Sequence, residues 1–372
     1  MHLRERHDLE KWHAVGVIRS QCATDEDWQD QVLSAPPVVA GTLSFRSSPL
    51  TGDLILIPRL PEDIIFGEGR KLVARSVEIA GRRGARVVGL GGLTAPATRG
   101  GESLLEGLPQ DVTLTNGNSF TALVACRNVR EACQYLGRER STVAILGSTG
   151  SVGVAASRLL ADVDVRLILI GRSTQRVRAS LPELVERAEF SGDLADVRRA
   201  DVVLVLTGEP SARLSPAHFD DARRRVVIDV AQPPNIEPTQ WTAFRHHMVQ
   251  VVRGGWVQLP GAVSSQTAES VTTDGDPNAP RGSVPACLAE TCLFAVEGIR
   301  EHAVGKGSAE LALRLEQVAA RQGVLMRSLE LERGASAASF DCKSPDRYEL
   351  NGQRRSHPNP ATFPFATASL PI

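Results

Sequence analysis

Two stretches of this 372-residue chain carry residue types that can do chemistry together. The first is Val284-Pro285-Ala286-Cys287-Leu288-Ala289-Glu290-Thr291. Proline is favoured in a first helical turn, where its missing N–H is not needed. The run therefore predicts a helix opening at Pro285 with Cys287 in its first turn. The N–H groups and dipole of a helix N-terminus favour a thiolate. A thiolate there can attack a carbonyl carbon and hold an acyl group as a thioester. Free cysteine is also a common core residue, and composition alone favours that plainer role. Glu290 can be a helix-terminus carboxylate, an acid/base or a surface charge, and its spacing does not decide among them. Cys126, Cys133 and Cys292 read as packing residues.

The second stretch is Gly147-Ser148-Thr149-Gly150-Ser151-Val152-Gly153, directly after the apolar run Thr142 to Leu146. A short β-branched run, a glycine turn and a helical pattern from Val154 to Ala161 follow the order of a dinucleotide-binding βα unit. Glycines let the backbone approach a pyrophosphate, and the helix N-terminus offers it free N–H groups. A second strand, Val165 to Ile170, ends in Gly171-Arg172-Ser173 rather than in the Asp or Glu that binds a ribose 2′-hydroxyl. Arg172 can fork onto a 2′-phosphate and Ser173 can add a hydrogen bond, so the pattern favours NADP(H) over NAD. Arg176 and Arg178 stand close enough in sequence to share that role.

These residues need a scaffold. Further short strands are expected at Asp201–Leu206, Val226–Val230 and Met248–Val252. Ligands of open parallel sheets sit beyond the carboxyl ends of the strands, which makes Thr207, Val230, Ala231 and Gly254 candidate cleft residues. Upstream, strands at Val38–Ser47 and Asp53–Ile57 are expected around a turn at Pro49–Gly52. A helix follows over Ile64–Gly81, then strands at Arg86–Leu90 and Val112–Thr115, and a helix over Thr121–Leu136. The fold class is α/β, with a small N-terminal α/β domain, a Rossmann-type doubly wound parallel sheet and C-terminal helices. The expected boundaries are an extension at 1–33, a substrate domain at 34–140, an NADP(H)-binding domain at 141–263, a mobile loop at 264–284, helices at 285–330 and a disordered tail at 331–372. The two C-terminal helices are expected at about 285–303 and 308–330.

Composition narrows the functional classes. The formal net charge is −1, so no nucleic-acid footprint is indicated. Lys11, Lys71, Lys306 and Lys343 are the only lysines. No apolar run approaches the roughly 18 residues of a transmembrane helix. The N-terminus lacks a signal-peptide apolar region. The six cysteines and eight histidines show neither metal-ligand spacing nor disulfide density, so no metal and a reducing, cytoplasmic setting are expected.

Taken in order, the motifs resemble the long-chain acyl–acyl carrier protein reductases that form fatty aldehydes. The resemblance runs from about Ser34 to Gly323. It includes Ser34-Ala35-Pro36-Pro37, Gly89 to Leu93, Asn116 to Ala122, the glycine loop, Asp229 to Asn235, Gly254-Gly255 and Ala286 to Thr291. It implies that Cys287 is the nucleophile. The thiolate would take an acyl group from a phosphopantetheine thioester on acyl carrier protein or CoA, and NADPH would reduce the acyl-enzyme to an aldehyde. Asn118 and Ser119 are the expected oxyanion donors, and an aldehyde-consuming enzyme is an expected partner. The chain departs from the family at Phe120, where a histidine is usual, and at Asp229-Val230-Ala231, where Asp-Gly-Gly is usual. Two other readings stand beside this one. A shikimate-dehydrogenase-like enzyme acting directly on a small alcohol or carbonyl would need a proton-transfer residue in the first domain. There Lys71 is the only lysine, and Asp53 and Asp63 are poorly placed. A cofactor-binding partner protein without chemistry would bind NADPH and turn nothing over.

Overall fold

The computed structural model describes residues 22–45, 48–220, 222–264, 279–280 and 282–332. Most of the expected N-terminal extension, residues 265–278 and 281 of the expected mobile loop, and all but two residues of the expected tail lie outside the described residues.

The first elements are α1 (Asp25–Ser34), β1 (Val38–Phe45) and β2 (Ser48–Leu56). The Thr24 hydroxyl caps α1 by accepting from the Asp27 N–H. The turn between β1 and β2 was expected at Pro49–Gly52, but that segment lies inside β2, with Phe45 already paired to Ser48. The expected helix over Ile64–Gly81 is two helices, α2 (Pro61–Phe66) and α3 (Gly69–Arg82). They break because the chain doubles back at Gly67–Gly69. A Cβ on Gly69 would lie 1.9 Å from the Ile64 carbonyl oxygen. After α3 come β3 (Val87–Gly89), α4 (Thr94–Ala97) and β4 (Thr113–Thr115), with β3 and β4 paired in parallel. Ile64, Val73, Val77, Leu90, Leu104 and Leu114 form the core between them.

α5 (Asn118–Leu136) starts and ends at left-handed glycines, Gly117 and Gly137. It leads into β5 (Thr142–Leu146), α6 (Ser151–Ala161), β6 (Arg166–Ile170), α7 (Thr174–Ser180), β7 (Ala188–Ser191), β8 (Val202–Val205), β9 (Arg225–Asp229), α8 (Trp241–His246) and β10 (Val249–Arg253). These six strands form one parallel sheet in the order β10-β9-β8-β5-β6-β7. Strand order reverses between β5 and β8, the switch point at which such sheets bind nucleotides. Side chains alternate between faces. Val143, Ile145, Leu167, Leu169, Val202 and Leu204 pack under α5 and α6. Ala144, Leu146, Ile168, Ile170, Val203 and Val205 pack with Phe219, Ile236 and Phe244 on the other face. Both faces are covered, which is why the strands read as continuous apolar runs.

The last described elements are β11 (Trp256–Gln258), β12 (Ala262–Ser264), β13 (Val284–Pro285), α9 (Ala286–Glu297), α10 (Ala309–Arg321) and β14 (Leu325–Met326). β12 returns to pair with β1, and β13 and β14 flank β11. Both C-terminal helices are shorter than expected. α9 stops at the left-handed Gly298, and α10 ends at Arg321, before the left-handed Gly323. Phe120, Leu123 and Val124 of α5 pack with Leu293 and Phe294 of α9 and Leu315 and Val318 of α10. α5 thus serves two cores, the sheet on one side and the terminal helices on the other.

Candidate active site

The glycine cradle closes as its spacing requires. Gly147 has φ +90, and a Cβ there would lie 3.1 Å from the Thr207 Cβ. A Cβ on Gly153 would lie 2.1 Å from the Gly147 carbonyl oxygen. Gly150 is the N-cap of α6, which has no side-chain cap and no acidic residue in its first turn. The first three N–H groups of a helix have no acceptor within it, so those of Ser151, Val152 and Gly153 are of the kind that can receive an anion. Ser148 differs from expectation: it is fully buried, and both its hydroxyl and its N–H donate to the Ile170 carbonyl. It ties the loop to β6, so neither its hydroxyl hydrogen nor its N–H is left to donate to a ligand. Thr149 sits beside Gly171, where a Cβ would come 3.3 Å from the Thr149 methyl. Val152 packs on the margin of the core.

Beyond β6, Arg172 is exposed and makes no ion pair among the described residues. Ser173 is the N-cap of α7, its hydroxyl accepting from the Arg176 N–H. Its first task is structural, because that cap holds the turn presenting Arg172. Arg178 lies over the Phe190 ring, 5.9 Å from its centroid, which leaves Arg172 and Arg176 the freer cations.

At the switch point, Thr207 backs onto Gly147, and its hydroxyl accepts from the Glu209 N–H. Val230 packs under Gly254 and Gly255. Ala231, expected to line the cleft, is instead buried, its N–H given to Asp229 and its carbonyl accepting from Arg253. Asp229 also accepts from the Asn235 and Ile236 N–H groups and lies 3.3 Å from Arg253. Burial pushes the Asp229 carboxyl up, against the pull of Arg253 and those N–H groups. This knot fixes the loop after β9. Its sequence signal is a strand-end Asp followed by Pro-Pro-Asn.

Cys287 stands where the sheet's carboxyl edge meets the terminal helices. Gly255 is the second residue after β10; its N–H donates to Asn128, and its carbonyl accepts from the Ala286 N–H at 2.9 Å. Pro285 is the N-cap of α9, so Cys287 is its second residue, half-buried. It lies flat against Gly117, which has φ +73 and whose Cβ would be 2.2 Å from the Cys287 Cβ. Burial pushes the Cys126 and Cys292 thiols up to about 12, which suits packing.

Glu290 is fully buried, so the surface-charge reading is excluded. It accepts from the Thr115 hydroxyl and, at 2.7 Å, from the Phe120 N–H, and the Gly117 and Ser119 amides also turn toward it. All these partners donate, so Glu290 caps the N-terminus of α5 from inside the molecule. It is placed to hold α5 against α9, not to exchange protons with a substrate. The expected oxyanion donors change accordingly. The Asn118 N–H goes to its neighbour Asn116, and the Ser119 hydroxyl, buried, accepts from the Ser308 N–H. The Asn118 side-chain amide gives one hydrogen to the Gly305 carbonyl and keeps a second. The Ala286 N–H is spent on the Gly255 carbonyl, so it is not a donor for a ligand.

Sequence reasoning missed the clamp around 305–308. The Gly305 N–H donates to the Gly100 carbonyl, and the Gly305 carbonyl accepts from Asn116 and Asn118. The Gly307 N–H donates to the Ser151 carbonyl of α6. The glycines flanking Lys306 were the available signal. Of the first-domain residues considered for a direct dehydrogenase, Lys71 pairs with Glu68 in solvent and Asp53 pairs with Arg83. Among the described residues no cluster could hold a metal ion, and no helix is long and apolar enough to cross a membrane.

The family model for shikimate / quinate 5-dehydrogenase matches residues 130–251, the span of the parallel sheet. The chain is 26% identical over 296 residues to a long-chain acyl-[acyl-carrier-protein] reductase of Synechococcus elongatus, covering 73% of this chain and 83% of that protein. It is 28% identical over 267 residues to the aminotransferase PigE of Serratia sp., covering 69% of this chain but 30% of PigE, so it spans under a third of that relative. A glutamyl-tRNA reductase of Halobacterium salinarum is 32% identical over 99 residues, 26% of this chain and 23% of that protein. Fold, cradle and these likenesses support one broad class, the NAD(P)-dependent reductases built on a Rossmann-type sheet. The residues fit a nicotinamide dinucleotide: Gly147 and Gly153 let the loop close tightly on an α6 N-terminus that has no side-chain cap and no acid in its first turn, and no carboxylate ends β6 to oppose a 2′-phosphate.

Proposed function

We propose that this chain is an NADPH-dependent reductase that converts an acyl thioester to an aldehyde through an acyl group held on Cys287. The observation that carries the proposal is the position of Cys287. It lies in the first turn of α9, against Gly117, and next to Ala286, whose N–H donates to Gly255 in the loop after β10 at the carboxyl edge of the sheet.

Cys287 is where an acyl thioester carbon would be attacked. The sulfur lone pair forms the new S–C bond while the carbonyl π pair moves onto oxygen. The Leu288 N–H and the second hydrogen of the Asn118 side-chain amide are the donors this reading assigns to that oxyanion. Its collapse breaks the bond to the carrier sulfur, which leaves with its electron pair and takes a proton. The acyl group then remains on Cys287. Ser151, Val152, Gly153 and Arg172 would hold the dinucleotide, which when bound supplies a hydride. Release of the aldehyde re-forms the C=O bond and returns the pair to the Cys287 sulfur. Such an aldehyde is reactive, which suits an enzyme that consumes it.

The test is intact-protein mass spectrometry after incubation with acyl-CoA and acyl carrier protein thioesters, without NADPH. The expected result is one acyl adduct that maps to Cys287 and is lost with aldehyde release once NADPH is added. Cys287→Ala should abolish adduct and aldehyde while leaving NADPH affinity unchanged. Normal aldehyde formation by Cys287→Ala ends the proposal.

A further inference from the structure

The segment between α9 and α10 joins both halves of the site. On one side, Gly305 hangs from Gly100 and receives the amides of Asn116 and Asn118. On the other, Gly307 donates to the Ser151 carbonyl at 2.9 Å, and a Cβ there would lie 3.2 Å from the Asn118 carbonyl carbon. Ser308 then donates to the Ser119 hydroxyl and caps α10. Gly305, Gly307 and Ser308 are thus pinned, and Lys306 is held between Ser151, the first residue of α6, and Asn118, the first residue of α5, whose N-cap Gly117 abuts Cys287.

Lys306 is exposed and makes no ion pair among the described residues. The other described lysine, Lys71, already pairs with Glu68 at 2.6 Å. The nearby acids do not replace a ligand for Lys306: Glu102 pairs with Arg99 at 3.5 Å, and Glu310 lies in the first turn of α10. α6 has neither a side-chain cap nor a first-turn acid. A lysine is a mobile point charge on a flexible stem, suited to a phosphate whose position is set by other contacts.

We propose that Lys306 contacts a phosphate lying between the glycine loop and Cys287. Two sources share that chemistry: the pyrophosphate of the cofactor, and the phosphate of a pantetheine arm carrying the acyl group. The second source rests on the thioester-reductase reading, whereas the first does not.

The experiment uses the full chain with Lys306→Met and Lys306→Arg. NADPH binding is measured by nucleotide fluorescence without acyl donor, and KM and kcat are measured with an acyl-CoA at saturating NADPH. Loss of one charge-assisted contact should weaken the phosphate-bearing ligand by about tenfold in Lys306→Met, with Lys306→Arg restoring most of it. A raised NADPH Kd assigns the contact to the cofactor. An unchanged Kd with raised KM and steady kcat assigns it to the acyl donor. If both Kd and KM stay within about twofold of wild type, the proposal fails. A wild-type chain that binds NADPH but reduces no thioester overturns the thioester reading, and the Kd comparison alone then decides the role of Lys306.

Discussion

α5 and α6 begin alike and end up serving opposite purposes. Each follows a short parallel strand and opens at a glycine, Gly117 for α5 and Gly150 for α6. At α6 the first-turn N–H groups have no side-chain partner, and the loop before it is tied down from behind by Ser148. At α5 the corresponding groups are taken by Glu290 and Asn116, while the Asn118 side-chain amide donates to Gly305 and the Ser119 hydroxyl accepts from the Ser308 N–H. An open helix N-terminus binds an anion, whereas a closed one is a rigid wall. Here the wall supports Cys287. The same strand–glycine–helix grammar thus yields a binding end and a packing end, and a distant carboxylate makes the difference.

The largest expected effects come from exchanging the glycines of this pair for alanine. Gly153→Ala places a Cβ 2.1 Å from the Gly147 carbonyl oxygen, so the cradle backbone must move. NADPH affinity should fall by at least about tenfold, while acylation of Cys287 proceeds. Gly117→Ala combines a left-handed φ with a Cβ 2.2 Å from that of Cys287. It should cost about 2–4 kcal/mol of stability and slow acylation by about a hundredfold, with NADPH affinity retained. Melting temperature, nucleotide titration and adduct formation read the two variants separately. If both glycines impair both functions equally, the division between a binding end and a wall is wrong.

That division also marks how far the sequence could be read. The cradle is local: strand, glycines, helix and the second strand lie within 142–170, and periodicity with glycine spacing finds them all. The parallel strands were legible for the same reason, since burial on both faces leaves continuous apolar runs. β7, with only Ala188 to Ser191 at the sheet edge, offered too short a run. The break at Gly67–Gly69 was hidden because the apolar positions on either side continue a helical pattern. The Cys287 corner is not local. Its defining hydrogen bond joins Phe120 to Glu290, 170 positions apart. Residue types could nominate Glu290, but only the folded chain shows that every neighbour donates to it. Ser148, Ser119 and Ala231 were nominated as ligand-facing for their place in a motif, yet each faces inward, where a buried polar group needs a partner.

A smaller effect tests the outer end of the cradle. Arg172 is exposed at the carboxyl end of β6, beside Gly171, with no carboxylate at that strand end. Arg172→Ala should raise the Kd for NADPH by about tenfold and leave NADH nearly unchanged, because only the first carries a 2′-phosphate. Raising the salt concentration should narrow the gap between wild type and variant, since an exposed ion contact is screened. Equal losses for the two nucleotides would move the 2′-phosphate contact away from Arg172, with Arg176 the next residue to replace.

The smallest effect addresses what closes α5. Burial raises the Glu290 carboxyl above its ordinary value of about 4.5, against the hydrogen bonds from Thr115, Phe120 and the neighbouring amides. The folded chain then binds that proton more tightly than the unfolded chain. By linkage, this contribution to stability is fully present below the ordinary value and is lost as pH rises through the raised one. Glu290→Gln removes the titration while keeping one acceptor oxygen. The melting-temperature difference, wild type minus variant, should therefore shrink steadily as pH climbs from the ordinary glutamate range toward neutrality. A difference that instead grows with pH would mean that the four donors outweigh burial, so that α5 is closed by a full negative charge placed one helical turn from Cys287.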